Sequence, residues 1–144
     1  RLRRVTLILD AAPLIALADS ADRMFEPVRQ AIAAEDGPLV IPAPVSAEVD
    51  YLLGVRHGEF VRRRFLADLA ERRFLVSCLE YEEYATVATL DASYADLGLG
   101  LADCSIVVLA ARLRTRRLLS FDERHFRAVA PLQGGTFELL PADG

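Results

Sequence analysis

Four carboxylates stand where apolar runs meet turns or share an apolar helical stripe: Asp10 after VTLIL, Glu48 in PAPVSAEVDYLL, Asp103 in LGLADCSIVVLA and Asp122 after RLLSF. A carboxylate in such a place costs several kcal/mol to desolvate unless something cationic meets it. Four brought together would repel one another, so either their pKa values rise or cations bind between them. Oxygen-only ligands favour Mg²⁺ or Mn²⁺ over Zn²⁺. One or two such ions among carboxylates suit the hydrolysis of phosphodiester bonds. Capping accounts for part of the pattern, since Asp10 and Asp122 suit helix N-caps and Asp103 complements a helix dipole. Glu48 lies inside its helix, where a cap has no role.

Whether the four acids meet depends on the elements that carry them. Val5 to Leu9 is a β-rich run with no polar residue after Thr6, as in a central parallel strand buried on both faces, and AAPLIALAD after it turns helical. Asp22 to Glu35 has helical spacing with Asp22 as its candidate N-cap, and DGP at Asp36 to Pro38 stops it. Leu39 to Ile41 reads as a strand, and Pro44 as the first turn of a helix to about Val55. An amphipathic helix over Glu59 to Glu71, a strand over Phe74 to Leu79 and a helix over Glu80 to Tyr94 follow. Ala102 to Leu113 is a strongly apolar helix, and Leu118 to Phe121 and Thr136 to Leu140 are the last strands. This alternation predicts βαβ units, hence one α/β domain over residues 1–144: a single α/β/α sandwich with a mainly parallel central sheet.

Such a sheet binds ligands beyond the carboxyl ends of its strands. Asp10 and Asp122 fall there directly. Glu48 and Asp103 fall in the first turns of helices that begin on the same edge, so all four can converge. Glu48 shares a helical stripe with Val45 and Leu52, and Asp103 with Ile106, Val107 and Ala110, positions that surface acids rarely take.

Composition narrows the classes further. The 144 residues are 53% hydrophobic, enough for one core and little more. The formal charge is −4, and all 17 basic residues are Arg. An acidic total argues against a protein that coats nucleic acid, but leaves room for an enzyme whose metal ions carry the positive charge. Cys78 and Cys104 have neither zinc nor redox spacing and read as core residues in a reducing compartment. The start, RLRRVTLILD, mimics a signal peptide until Asp10 interrupts it, and no run nears the ~20 apolar residues of a membrane span. A soluble, cytoplasmic protein with no membrane partner is expected. No Gly-x-Gly-x-x-Gly follows the first strand, which excludes a dinucleotide-binding Rossmann domain. A phosphoacceptor receiver domain needs a lysine, and the chain has none.

Taken in order, LILDAAPLIAL, AEVDYLL, LGLADCSIVVLAARL and LLSFDERHF resemble the PIN domain, in particular the VapC toxins of bacterial toxin–antitoxin pairs, over nearly the whole chain. The resemblance implies an endoribonuclease in which Asp10, Glu48, Asp103 and Asp122 surround Mg²⁺ or Mn²⁺, one or two ions. Asp10 and Asp103 would be direct ligands, with Glu48 and Asp122 completing the site. Water activated there would attack an RNA phosphate in line and leave 5′-phosphate and 3′-hydroxyl ends. It also implies a homodimer and a VapB-type antitoxin. Family members often carry a hydroxyl just after the first acid, where this chain has Ala11 and Ala12; Ser46, Ser105 or Ser120 could replace it. Asp96 is a further acid whose more natural role is to cap a loop.

The cluster Arg112, Arg114, Arg116 and Arg117 follows a helix that runs away from the acidic edge, so dipole compensation suits it better than a grip on substrate. Arg124 and Arg127, close to Asp122, are better candidates for phosphate contact, with Arg23, Arg29 or Arg56 behind them. His125 reads as a surface or capping group, and His57 as exposed. Surplus apolar residues over Phe25 to Ile32 and Phe60 to Leu69 suit a partner helix. The competing class is a non-catalytic PIN-like module that binds RNA or protein, with the acids structural.

Overall fold

The computed structural model describes residues 4–144; residues 1–3, with the leading arginines of the signal-like stretch, lie outside it. Five strands form one sheet, β1 (Leu7–Leu9), β2 (Leu39–Pro42), β3 (Leu75–Ser77), β4 (Arg117–Leu119) and β5 (Glu138–Leu140). Their order is β3-β2-β1-β4-β5 and every pairing is parallel. The sheet is therefore wholly parallel, and the α/β expectation is met in full. Leu7, Ile8 and Leu9 are completely buried, as a central strand covered on both faces requires.

Seven helices flank the sheet: α1 (Ala11–Ala16), α2 (Phe25–Ala33), α3 (Ala43–His57), α4 (Glu59–Ala70), α5 (Glu83–Ser93), α6 (Gly100–Arg112) and α7 (Glu123–Ala128). Helix α6 buries every residue from Cys104 to Ala110, so it is apolar all round rather than amphipathic. Cutting such a side chain back, as in Ile106→Ala, would cost about 2–5 kcal/mol. None of the helices among the described residues is long and apolar enough to cross a membrane.

The chain leaves β1 for β2 on one side, and β4 lies against β1 on the other. That is the switch point of an open α/β sheet, where the connections diverge and a crevice opens beyond the strand ends. Its two flanks carry Asp10 after β1 and the Ser120–Asp122 turn after β4. Two further hydrogen bonds extend the ladder past the strands, from Asp10 N to Leu119 O at 2.9 Å and from Ser120 N to Leu140 O at 3.0 Å.

Several local expectations need correction. Asp22 does not cap α2; its carboxylate accepts from Met24 N at 2.8 Å in a tight turn, and the helix starts only at Phe25. Helix α5 starts at Glu83 because that side chain reaches back to Glu80 N at 2.7 Å, holding residues 80–82 in a turn. Strand β4 stops at Leu119 because Ser120 turns the chain with its own hydroxyl. Helix α7, six residues long, is too short to show a helical period and went unread. Cys104 is buried as expected, but Cys78 is exposed, since it follows edge strand β3, whose Leu75 and Val76 also face solvent.

The basic cluster does point away from the acids. Arg117 pairs with Glu35 and Glu138, Arg116 donates to the Gln133 and Gly134 carbonyls, and Arg112 bonds Glu83 and the Cys78 carbonyl. These arginines fasten loops and edge strands.

Candidate active site

Asp10, Glu48, Asp103 and Asp122 line one open cleft of about 490 Å³, with Ile15, Leu52, Leu99 and Phe121 as apolar walls and Arg56 at its side. Each acid reaches the cleft by a different local device. Asp10 leaves β1 in extended backbone and caps α1, accepting from Ala11 N at 2.8 Å. Asp122 caps α7 and accepts from His125 N at 3.0 Å. Asp103 sits in the first turn of α6, and Glu48 in the second turn of α3 after a start primed by Pro44. Capping and cleft-lining thus coincide in Asp10 and Asp122.

Burial and mutual repulsion mark the site electrostatically. The Asp103 carboxyl is pushed up to about 6, first by burial and then by the Asp10 charge, while its hydrogen bond to His125 pulls the other way. Asp10 is raised above the usual carboxylate range by burial, against the hydrogen bonds from Ser120 and Ala11. Glu48, at the exposed rim, is raised by partial desolvation and by Asp10. Raised carboxylates in one cleft are what a cation would relieve.

The donor set fits a hard divalent ion. Asp103 and Asp122 bring carboxylate oxygens, and His125 a ring nitrogen, within 4.8 Å of one another. Glu48 makes no hydrogen bond among the described residues and keeps both oxygens free, while one Asp103 oxygen is engaged by His125. Asp10 has both oxygens oriented, one by Ala11 N and one by the Ser120 hydroxyl at 2.7 Å. Held carboxylates lose little freedom when an ion arrives. Ser120 therefore stands where the missing hydroxyl was sought. Ser46 and Ser105 instead bond the carbonyls of Ala43 and Ala102 within their own helices.

Other candidates divide. Arg127 is engaged by Asp143 and Glu123, with a guanidinium pKa raised by the Asp143 hydrogen bond first. Arg124 is exposed beside His125, Arg29 pairs with Glu26, and Arg23 lines a neighbouring pocket with Phe121 and Pro141. Asp96 lies exposed in a single 3₁₀ turn, Ala95–Leu97, and is not among the residues lining the cleft. His125 is not the surface group its sequence context suggested: its Nδ1 lies 2.7 Å from Asp103 Oδ2 and 2.8 Å from Asp122 Oδ2. Its only signal was the spacing Asp-x-x-His, which puts the ring over the cap once α7 is known.

Known proteins share the sequence pattern and the fold. The PIN domain model matches residues 7–131. Ribonuclease VapC26 of Mycobacterium tuberculosis (strain ATCC 25618 / H37Rv) is 37% identical over 138 residues, which is 94% of this chain and 100% of that protein. The crystal structure of Mycobacterium tuberculosis VapC20, described as a Sarcin-Ricin loop cleaving toxin, superposes with a TM-score of 0.74 at 14% identity over 81% of this chain and 89% of that one. VapBC2 from Rickettsia felis, bound to a promoter DNA fragment, superposes with a TM-score of 0.68 at 14% identity over 94% of this chain and 98% of that one. These two structures share the fold; the family rests on the domain match and the full-length relative. On that span and that identity, the chain belongs to the PIN-domain family.

Proposed function

We propose that this protein is a metal-dependent endoribonuclease acting in the cytoplasm as the toxin of a type II toxin–antitoxin pair. The observation that carries the proposal is the convergence of Asp10, Glu48, Asp103 and Asp122 on one cleft at the switch point of the sheet. It is supported by the full-length similarity to a protein named a ribonuclease.

Asp10, Asp103 and Asp122 would hold Mg²⁺ or Mn²⁺, and Glu48 would complete the site. When bound, the ion supplies Lewis acidity to the phosphodiester and makes water a nucleophile near neutral pH. The protein's own part is positioning. Ser120 and Ala11 fix the Asp10 carboxylate, and His125 fixes those of Asp103 and Asp122. Glu48, unbonded at the rim, would accept a proton there. Ile15, Leu52, Leu99 and Phe121 supply the apolar part of the cleft lining.

Arg56 and Arg124 are proposed phosphate contacts, since both are exposed near the acids and neither forms an ion pair among the described residues. Arg127 can join them only by giving up Asp143 and Glu123. A second surface suits the antitoxin. Leu14, Leu17, Val61, Phe65 and Phe74 line an apolar groove between α1 and α4, and Phe60 of α4 is 75% exposed. An amphipathic helix of a VapB-type partner fits that chemistry. The homodimer remains part of the same proposal.

The test is direct. Asp10→Asn and Asp103→Asn should abolish cleavage of RNA with Mg²⁺ or Mn²⁺ at unchanged fold, and EDTA should do so reversibly. Wild-type protein that binds RNA yet never cuts it with either ion would establish the binding-module class instead.

A further inference from the structure

We propose that His125 is a positioning residue whose Nδ1–H, donated to Asp103 Oδ2 with Asp122 Oδ2 also close to the ring nitrogen, sets the spacing of the two carboxylates for a divalent ion. The inference rests on the nuclease reading and adds a residue to it. The ring is 15% exposed, and its Nδ1 lies 2.7 Å from one carboxylate and 2.8 Å from the other. Its backbone N–H donates to the remaining oxygen of Asp122 at 3.0 Å, so this one residue lies against both oxygens of that acid.

The second ring nitrogen decides the chemistry. Arg124 Nη1 lies 3.3 Å from His125 Nε2. A guanidinium only donates, so Nε2 must accept and the ring proton resides on Nδ1. A protonated Nδ1 cannot ligate a metal, but it can hold the oxygens that do. The arrangement spans two elements, because Asp103 belongs to α6 while Asp122 and His125 belong to the cap and first turn of α7. Without the imidazole, α7 has no hydrogen bond to Asp103, and the two carboxylates are free to move apart.

Removing a group that orients metal ligands typically weakens metal binding about 10–100-fold. Mn²⁺ titrated by calorimetry into wild type, His125→Ala and His125→Asn tests this. Asn can present an amide N–H near the position of Nδ1. The expected result is a loss of about 10–100-fold in Mn²⁺ affinity for His125→Ala, with most of the affinity restored in His125→Asn. Equal affinity in wild type and His125→Ala overturns the proposal, as does an equal loss in both variants. Pulsed EPR of Mn²⁺ in the wild type decides independently of how either variant folds. A directly coordinated imidazole nitrogen makes His125 a ligand and overturns the positioning role; its absence supports the role. Wild-type protein that takes up no Mn²⁺ at all sinks the metal-dependent reading itself, a result distinct from the others.

Discussion

The Ser120 hydroxyl donates to Asp10 Oδ2 at 2.7 Å, linking the turn after β4 to the end of β1. The Ser120 Oγ also accepts from the Asp122 backbone N–H at 3.0 Å, so one small side chain orders the two acids that flank the switch point.

Ser120→Ala should therefore act on stability and on the site together. Losing a buried bond to a charged group costs about 1–3 kcal/mol. Because this bond lowers the Asp10 pKa, its loss raises that carboxyl further. The acid limb of the cleavage profile should move to higher pH. Thermal melts and a pH–rate profile check both effects, and an unshifted limb would count against the Asp10–Ser120 coupling.

Metal-free protein should lose stability as pH rises from about 4 to about 6. The Asp103 carboxyl titrates at about 6 in the fold against 3.8 in an unfolded chain. Between those values the folded state binds the extra proton, so raising pH favours unfolding. Asp10, also raised, adds the same sign. Asp143, lowered to about 2 by Arg127, works oppositely and only at more acidic pH. The Asp103 contribution is at most about 3 kcal/mol. Melts in EDTA should show it, Asp103→Asn should flatten it, and Mn²⁺ should reverse it. A wild-type melting temperature that climbs steadily through this window contradicts the assignment.

Arg56→Ala should weaken RNA binding without touching the carboxylates. Each phosphate contact on a single strand contributes about −0.7 to the slope of log K against log salt. In an Asp103→Asn background, anisotropy titrations with a short RNA should show that slope shrink by about 0.7. An identical slope removes Arg56 from the contact set.

Val61→Glu should prevent capture of an antitoxin while leaving RNA cleavage intact, because Val61 lines the α1–α4 groove and not the acidic cleft. Co-expression with an antitoxin encoded beside the toxin, followed by co-purification, reads the first effect. An undiminished complex would move the partner to another face.

Much of this architecture was legible from residue patterns. Leu7 to Leu9 announced a two-sided strand by its unbroken apolar run, and burial on both faces bears that out. Helix α6 declared itself by its apolar length. The convergence of Asp10 with Asp122 followed from strand ends alone, because parallel βαβ connections put those ends on one edge. Glu48 was legible as an acid that no cap explained. What stayed hidden depended on side chains meeting across the fold. Ser120 was one of three serines without distinction until β1 and β4 paired. His125 looked exposed because α7 is too short to show a period, and only its pairing with Asp103 of α6 reveals its place. Cys78 misled because apolar neighbours in sequence do not imply burial beside an edge strand.

The carboxylates come from four separated stretches, and the turn bearing Asp122 is tied to Leu140 through Ser120 N. Pairing of β5 with β4 therefore braces one wall of the acidic cleft from the far edge of the sheet.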